Sequence, residues 1–251
     1  MSVWVPKQYG AWAMLVAPVI TGLIMAPGWG QAGIAVAWVT AYLSYMAVRG
    51  ALGRRHRHEY ATAGAVYGVV TAGLVVAELV WRPALVWWVI PLAVLLGVSL
   101  WLVASGRERT TINDAALTGA SALMTAVVAT AGRLGEGAGW HGFATGVAWP
   151  AAWVAVACLA AYFWGTIPYV KTMIRERGHV GWYAASVAYH AALIVPAFLV
   201  NLWVWAFGIV VAARAVLVPK LAPKAKPKQI GVAEIGVTIV LVAILCTTLG
   251  G

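Results

Sequence analysis

Nine runs of about twenty mostly apolar residues, nearly free of charge, divide this sequence, and short basic connectors separate them. A helix rises 1.5 Å per residue, so a run of that length matches the ~30 Å hydrocarbon core of a bilayer. Hydrocarbon offers no water to peptide groups, so each run must close its own hydrogen bonds as a helix. The runs fall at 11–27, 31–48, 60–81, 84–104, 115–131, 145–162, 182–200, 202–218 and 231–250. The fifth is the shallowest signal, rich in Gly, Ser, Thr and Ala, a composition that suits close helix packing better than lipid contact. A soluble domain is excluded: 10% of the residues are charged and 63% hydrophobic, with a mean hydropathy of +0.87, where soluble domains carry about 25% charged residues. The expected fold is an all-α polytopic transmembrane bundle of about nine helices. Residues 1–251 form a single integral membrane domain, and 219–230 serve as an extended basic linker before the last helix.

With nine spans, the N-terminus and every second connector share one side. That side receives Lys7; Arg49, Arg54, Arg55 and Arg57; Arg107 and Arg109; Lys171, Arg175 and Arg177; and Arg214, Lys220, Lys224, Lys226 and Lys228. The other receives only Arg82 and Arg133. Cytoplasmic connectors hold the excess of Lys and Arg, which places the N-terminus inside, the C-terminus outside and the chain in the cell's inner membrane. Omitting the fifth span would scatter the bases over both faces, so the asymmetry supports it. The net charge of +10 is explained by orientation and anionic lipid headgroups, and nucleic acid is not an expected partner. Several tryptophans fall at the proposed boundaries, Trp4, Trp12, Trp101, Trp164 and Trp182 on the inner side and Trp29, Trp81, Trp140, Trp203 and Trp205 on the outer, as interfacial indoles do. Pro18, Pro91, Pro150 and Pro196 lie inside runs and read as kinks whose freed carbonyls neighbouring helices satisfy. Cys158 and Cys246 sit in apolar runs and read as packing residues. Residues 1–10, with one lysine ahead of an apolar run, read as the lead into a retained first helix rather than a signal peptide.

Three inner connectors hold candidate chemistry: Arg54-Arg-His-Arg-His-Glu59, Gly106-Arg-Glu-Arg-Thr-Thr-Ile-Asn-Asp114 and Tyr169-Val-Lys-Thr-Met-Ile-Arg-Glu-Arg-Gly178. The second and third share an Arg-Glu-Arg tripeptide. Guanidinium groups grip phosphate or carboxylate oxygens in pairs, so converging connectors would form a basic bowl for an anionic headgroup. Its residues would be Arg54, Arg57, Arg107, Arg109, Lys171, Arg175 and Arg177, with Glu108, Asn113, Asp114, Glu176 and His190 as polar support. Ordinary orientation of the chain accounts for the same bases. No metal site is expected: His56 and His58 face different sides of a helix, and the flanking arginines repel a cation.

Ionisable residues at membrane depth are functional suspects. Arg214 and Glu234 each lie about 9 Å deeper than the lysine nearest to them, on consecutive antiparallel runs, and are expected to form an ion pair; snorkelling to the interface is the competing reading. His190 is expected to hydrogen-bond a neighbouring helix, with proton relay as the sharper alternative. Tyr42, Tyr45, Tyr67, Tyr162 and Tyr183 read either as cavity lining or as packing. Glu78 and Arg82, at i and i+4, are expected to pair at the outer edge.

The opening Pro6-Lys-Gln-Tyr-Gly-Ala-Trp-Ala-Met14 resembles the start of the YwiC-like membrane proteins, which typically show Pro-x-Gln-His-Gly-Ala-Trp. Arg107-Glu-Arg with Asn113-Asp-Ala-Ala-Leu117, and Tyr169-Val-Lys-Thr-Met-Ile-Arg-Glu-Arg177, also look like that family. Tyr9 stands where the family usually has His, so no histidine chemistry is expected there. The resemblance implies membrane residence and leaves activity open. A weaker resemblance, to the UbiA-type prenyltransferases, implies nine spans with an active site built from the cytoplasmic loops after helices two and six, here Arg54 to Glu59 and Lys171 to Gly178. That family holds Mg²⁺ on paired aspartate-rich motifs, whereas this chain has one aspartate, Asp114. No cofactor is therefore expected, and Mg²⁺ would enter only if UbiA-like chemistry persists. An enzymatic role stays open, as a lipid or prenyl transferase; no catalytic residue is assigned. Three functions compete: a bundle that binds or transforms an isoprenoid, quinone-like or other anionic lipid; a small organic-anion permease; and a structural or assembly partner of another membrane protein. The first requires a cavity with a basic mouth, the last requires none. Partners beyond membrane lipids, and the oligomeric state, are not read from the sequence.

Overall fold

The computed structural model describes residue 4 and residues 9–52, 57–134 and 149–250. All regular structure among them is helical: α1 (Tyr9–Met25), α2 (Gln31–Leu52), α3 (Arg57–Trp81), α4 (Val86–Ala104), α5 (Thr111–Arg133), α6 (Pro150–Val170), α7 (Val180–Ala192), α8 (Ile194–Val200), α9 (Leu202–Leu221) and α10 (Pro227–Leu249). Among the described residues, eight helical segments are long and apolar enough to cross a bilayer, with α7 and α8 stacked as one, and α1 adds a shorter apolar helix. The chain is a multi-pass membrane protein.

α5 is the centre of the bundle, and it is the run with the shallowest sequence signal. In its most apolar window 72% of residues are buried, against at most 50% in any other span. Its Ala, Ser, Thr and Gly residues let neighbours approach closely, and it packs on α1, α4, α6 and α2. Near its end a Cβ built on Gly132 would lie 2.0 Å from the Ala26 carbonyl oxygen and 2.3 Å from Gln31 Nε2, so only glycine fits there. α2 and α3 form a tight hairpin, held at membrane depth by Ser44 Oγ donating to Gly64 O (3.0 Å) and Thr71 Oγ1 donating to Thr40 Oγ1 (2.9 Å). α7 packs on α6 and α9, and α10 lies beside α1, α6 and α9.

Two sets of contacts define the ends of the bundle. At one end Arg49 on α2 meets Glu108 before α5, Lys171 after α6 bonds Thr111, and Arg177 bonds the carbonyl of Ala225 before α10. This is the basic end. At the other, Arg82 ties together the ends of α3 and α5 and the α1–α2 turn: it pairs with Glu78 and donates to Gly30 O and, at 3.0 Å, to Ala131 O. Gln31 reinforces this from α2, donating to Val128 O (2.6 Å) and Ala26 O (2.7 Å) while accepting from the Gly28 N–H (3.1 Å). The Glu78–Arg82 pair forms at this edge as expected, and it is buried: Arg82 is 2% exposed, because terminal carbonyls of α5 and the α1–α2 turn need a donor where no water reaches.

Other boundaries depart from expectation. The sixth span starts at Pro150 rather than 145 and runs past Tyr162 to Val170, then on through a widened turn, Lys171–Arg175; residues 145–148 lie outside the described residues. Pro150 occupies the first helical position, where its missing N–H costs nothing, so it is no kink. Pro196 does interrupt its span: without its N–H the helix breaks at Leu193 into α7 and α8. The basic linker is much shorter than 219–230. α9 continues to Leu221 and α10 begins at Pro227, leaving five non-helical residues. Arg54, Arg55, His56 and Trp140 lie outside the described residues, as do the side chains of Tyr9 and Arg57.

Gly132→Ala should lower stability in detergent by ~1–3 kcal/mol through overpacking. Gly236→Ala on α10, where a Cβ would meet nothing within 4 Å, should change it by less than about 0.5 kcal/mol. Equal melting temperatures for the two variants would show that the α1–α5 crossing is not this close.

Candidate functional site

Local chain geometry places three polar groups at the basic end. α4 stops at Gly106, whose φ of +71° is open to glycine without strain. There the Gly106 N–H donates to Val103 O (3.0 Å) and the Arg107 N–H to Leu102 O (2.8 Å), a Schellman termination. Thr110 then caps α5, its hydroxyl accepting from the Asn113 N–H at 3.4 Å. The Arg107-Glu-Arg109 stretch is thus a short bridge between two fixed ends, and it brings Glu108 Oε2 to 3.0 Å from Arg49 Nε on α2. The hydrogen bond from Arg49 holds the Glu108 carboxyl below the usual carboxylate range. Partial burial opposes this shift, and the charges of Arg49, Arg109 and Arg175 reinforce it.

Behind that pair a buried chain runs inward. Asn113, 1% exposed, donates through Nδ2 to Glu108 O (2.8 Å) and accepts at Oδ1 from Ser99 Oγ (2.6 Å). The Ser99 proton is committed to Asn113, so Tyr45 donates to Ser99 Oγ at 2.9 Å. The third group comes from α6. Pro168 offers no N–H to the preceding turn, and three residues later the helix widens, with the Glu176 N–H donating five residues back to Lys171 O (2.7 Å). This turn carries Lys171, 8% exposed, whose Nζ donates to Thr111 Oγ1 (2.6 Å) and sits 4.4 Å from the Trp182 ring centroid.

Below these residues lies a cavity of about 760 Å³ walled by α1 to α6. Arg49, Glu108, Asn113, Asp114, Lys171 and Arg175 line its basic end. Met14, Trp38, Trp88, Leu92 and Met124 are among its walls, and Glu78, paired with Arg82, lies at the far end. Ile34 and Arg49 both line it from α2, so it runs about 22 Å along the bundle at 1.5 Å per residue. Tyr42, Tyr45 and Arg49 share one face of α2 at i, i+3 and i+7, and the Tyr42 hydroxyl is buried without a hydrogen-bond partner among the described residues.

The sequence-derived site residues separate into three groups. Lys171, Arg175, Glu108, Asn113 and Asp114 come together at the cavity mouth. Arg107 and Arg109 are exposed and do not line it, although Arg109 Nε lies 3.7 Å from Glu108 Oε1. Arg177 points away, donating through Nε and Nη2 to Met173 O (3.0 and 2.6 Å), and Glu176 is likewise outside the lining. Arg54 is outside the described residues; Arg57 opens α3. His190 does not reach the mouth. Its Nδ1 bonds Ser186 O on its own helix (2.7 Å) rather than a neighbour, and a Cβ on Gly165 of α6 would come within 2.9 Å of its Nε2. Arg214 Nη1 lies 2.5 Å from Glu234 Oε1 between α9 and α10, and Tyr162 donates to Glu234 Oε2 (2.8 Å). Tyr162 therefore belongs to that pair, Tyr67 bonds Trp4 O, and neither lines the cavity. Arg49 is the member that sequence reading counted only as an orienting base; its heptad spacing to Tyr42 was the available signal.

A Mg²⁺ ion does not fit this mouth. A hard cation takes several oxygen ligands, whereas only Glu108 and Asp114 are acidic here, Glu108 is bonded to Arg49, and three bases surround them. Among the described residues no three His, Cys, Asp or Glu side chains cluster.

A Bacillus subtilis (strain 168) protein named uncharacterized protein YwiC is 30% identical to this chain over 210 residues, 82% of each. The chain belongs to the YwiC-like family. The model of that family, YwiC-like protein, matches residues 5–129, which takes in α1 to most of α5 and with them Arg49, Glu108, Asn113 and Asp114. An uncharacterized Haemophilus influenzae (strain ATCC 51907 / DSM 11121 / KW20 / Rd) protein is 23% identical over 247 residues, 98% of each chain. No solved structure matches the chain.

The depressed Glu108 pKa sets a pH test. A carboxylate whose folded pKa lies below its unfolded value of about 4.3 contributes stability that is fully present above that value and is lost as pH falls through the folded pKa. Arg49→Met should therefore melt below wild type at neutral pH, with the gap closing only below about pH 4.3. A gap that is unchanged down to pH 3 would mean that the Arg49–Glu108 bond is not the source.

Proposed function

We propose that this YwiC-like protein binds an amphipathic molecule with an anionic head and a long apolar body, of the isoprenoid or lipid class. The head rests among Arg49, Lys171 and Arg175, and the body occupies the cavity between α2, α4 and α5. The observation that carries this reading is the shape and polarity of the cavity. It runs about 22 Å with apolar walls and puts its cationic groups at one end. Its volume falls in the 300–1,000 Å³ range of small-molecule sites. The excess of bases at that end favours a cytoplasmic mouth in the inner membrane, with the N-terminus inside.

Binding rather than metal-assisted transfer is the function we infer, because the mouth lacks the donor set for Mg²⁺. Any transformation of the ligand would rest on the arginines and lysine holding its charge. The connector after α6 supplies Lys171 and Arg175, the one between α4 and α5 supplies Glu108, and the first turn of α5 supplies Asn113 and Asp114. An organic-anion permease is less favoured: the opposite end is tied shut by Arg82, which joins Gly30, Glu78 and Ala131.

Native mass spectrometry of gently solubilised protein should find one amphipathic anion retained by wild type. Charge-assisted contacts contribute ~1.5–3 kcal/mol each, so Lys171→Ala with Arg175→Ala should cut retention at least tenfold. Ala41→Trp, which sets an indole into the cavity from α2, should abolish it. Equal retention by all three proteins would overturn the proposal.

A further inference from the structure

A second, smaller recess of about 340 Å³ opens at the basic end, outside the cavity, between the start of α7 and the end of α9. Arg177, His179, Tyr183 and Lys220 line it with Met173 and Pro223, and none of its lining residues is acidic. This distinguishes it from the cavity mouth, where Glu108 already answers Arg49. Arg177 is held in place although the residue is exposed. Arg177 donates Nε–H to Met173 O (3.0 Å) and Nη2–H to Met173 O (2.6 Å) and Ala225 O (2.9 Å). Those bonds use three of its five N–H groups and leave the two on Nη1. Lys220 Nζ sits 5.7 Å from the centroid of the Tyr183 ring, whose hydroxyl is anchored to Val216 O (3.2 Å). An arginine fixed in this way loses little further freedom when it binds an anion. Beside the recess Val180, Leu217 and Leu221 are exposed apolar side chains on α7 and α9, a surface that suits acyl chains.

We propose that this recess is a binding site for the phosphate of an anionic phospholipid, with Arg177 Nη1, Lys220 and His179 around the headgroup and the acyl chains along α7 and α9. Basic recesses between transmembrane helices near the membrane surface are suited to such headgroups. Among the described residues none of these three groups has an acidic partner, and the abundant anion at the bilayer surface is lipid phosphate. The lipid also has a structural consequence. Arg177 already joins the α6–α7 connector to the five residues before α10, and a phosphate on its remaining N–H groups would fix that guanidinium further. This site is independent of the proposed cavity ligand.

The test is native mass spectrometry of the full chain titrated with phosphatidylglycerol or with phosphatidylcholine of the same acyl chains. Wild type should bind one phosphatidylglycerol at least tenfold more tightly than phosphatidylcholine. His179→Ala with Lys220→Ala leaves the Arg177–carbonyl bonds intact and should remove that preference. Lys224→Ala with Lys226→Ala, which removes two exposed bases outside the recess, should retain it, as should the cavity variant Ala41→Trp. The proposal is overturned if the two double variants lose phosphatidylglycerol equally, since the effect is then surface charge alone. It is also overturned if His179→Ala with Lys220→Ala binds as wild type does. Displacement of the lipid by millimolar inorganic phosphate would overturn the lipid assignment in favour of a soluble anion.

Discussion

A peptide carbonyl in hydrocarbon has no water to accept from, and every feature of this bundle answers to that constraint. Along the helices the backbone satisfies itself; at their ends, and wherever proline removes a donor, something else must. Arg82 and Gln31 do this at one end, delivering side-chain N–H groups to carbonyls of α5, the α1–α2 turn and Ala26. Arg177 does it at the other for Met173 and Ala225. Arginines bonded in this way, Arg82 buried and Arg177 exposed, help to close the fold. Among the described residues, the bases that face the cavity are Arg49, Lys171 and Arg175.

The close packing of α5 follows from the same constraint. Lipid tails are as apolar as leucine, so burial of apolar surface does not by itself drive helices together, and small residues at the contacts do. Gly132 against the Ala26 backbone is one such contact. A central helix without bulk also leaves room: Ala120, Ser121 and Met124 on α5 line the cavity rather than filling it. The space between α2, α4 and α5 is thus a product of the composition that makes α5 inconspicuous as a membrane span.

The spans were legible because apolar runs and basic connectors are one-dimensional signals. Helix ends were not, where a proline could either start or interrupt a helix: Pro150 starts one, Pro196 breaks one, and Pro168 precedes a widened turn. The composition of the mouth was half legible. Glu108, Asn113, Asp114, Lys171 and Arg175 stood out in their connectors, but nothing in the linear sequence tells an arginine that lines a cavity from one that caps a carbonyl. Arg49 and Arg177 exchanged roles on that account. The Arg214–Glu234 contact, by contrast, could be read from depth alone, since consecutive helices run antiparallel and place both groups at one level.

Whether the cavity is an amphiphile's seat or a packing defect decides the proposed function. An experimental density map of the protein taken from its membrane without detergent exchange tests this most directly. It should show one continuous elongated density from the Lys171 and Arg175 side chains to the level of Trp88. A cavity closed by rearranged side chains, or filled with water along its length, would contradict it.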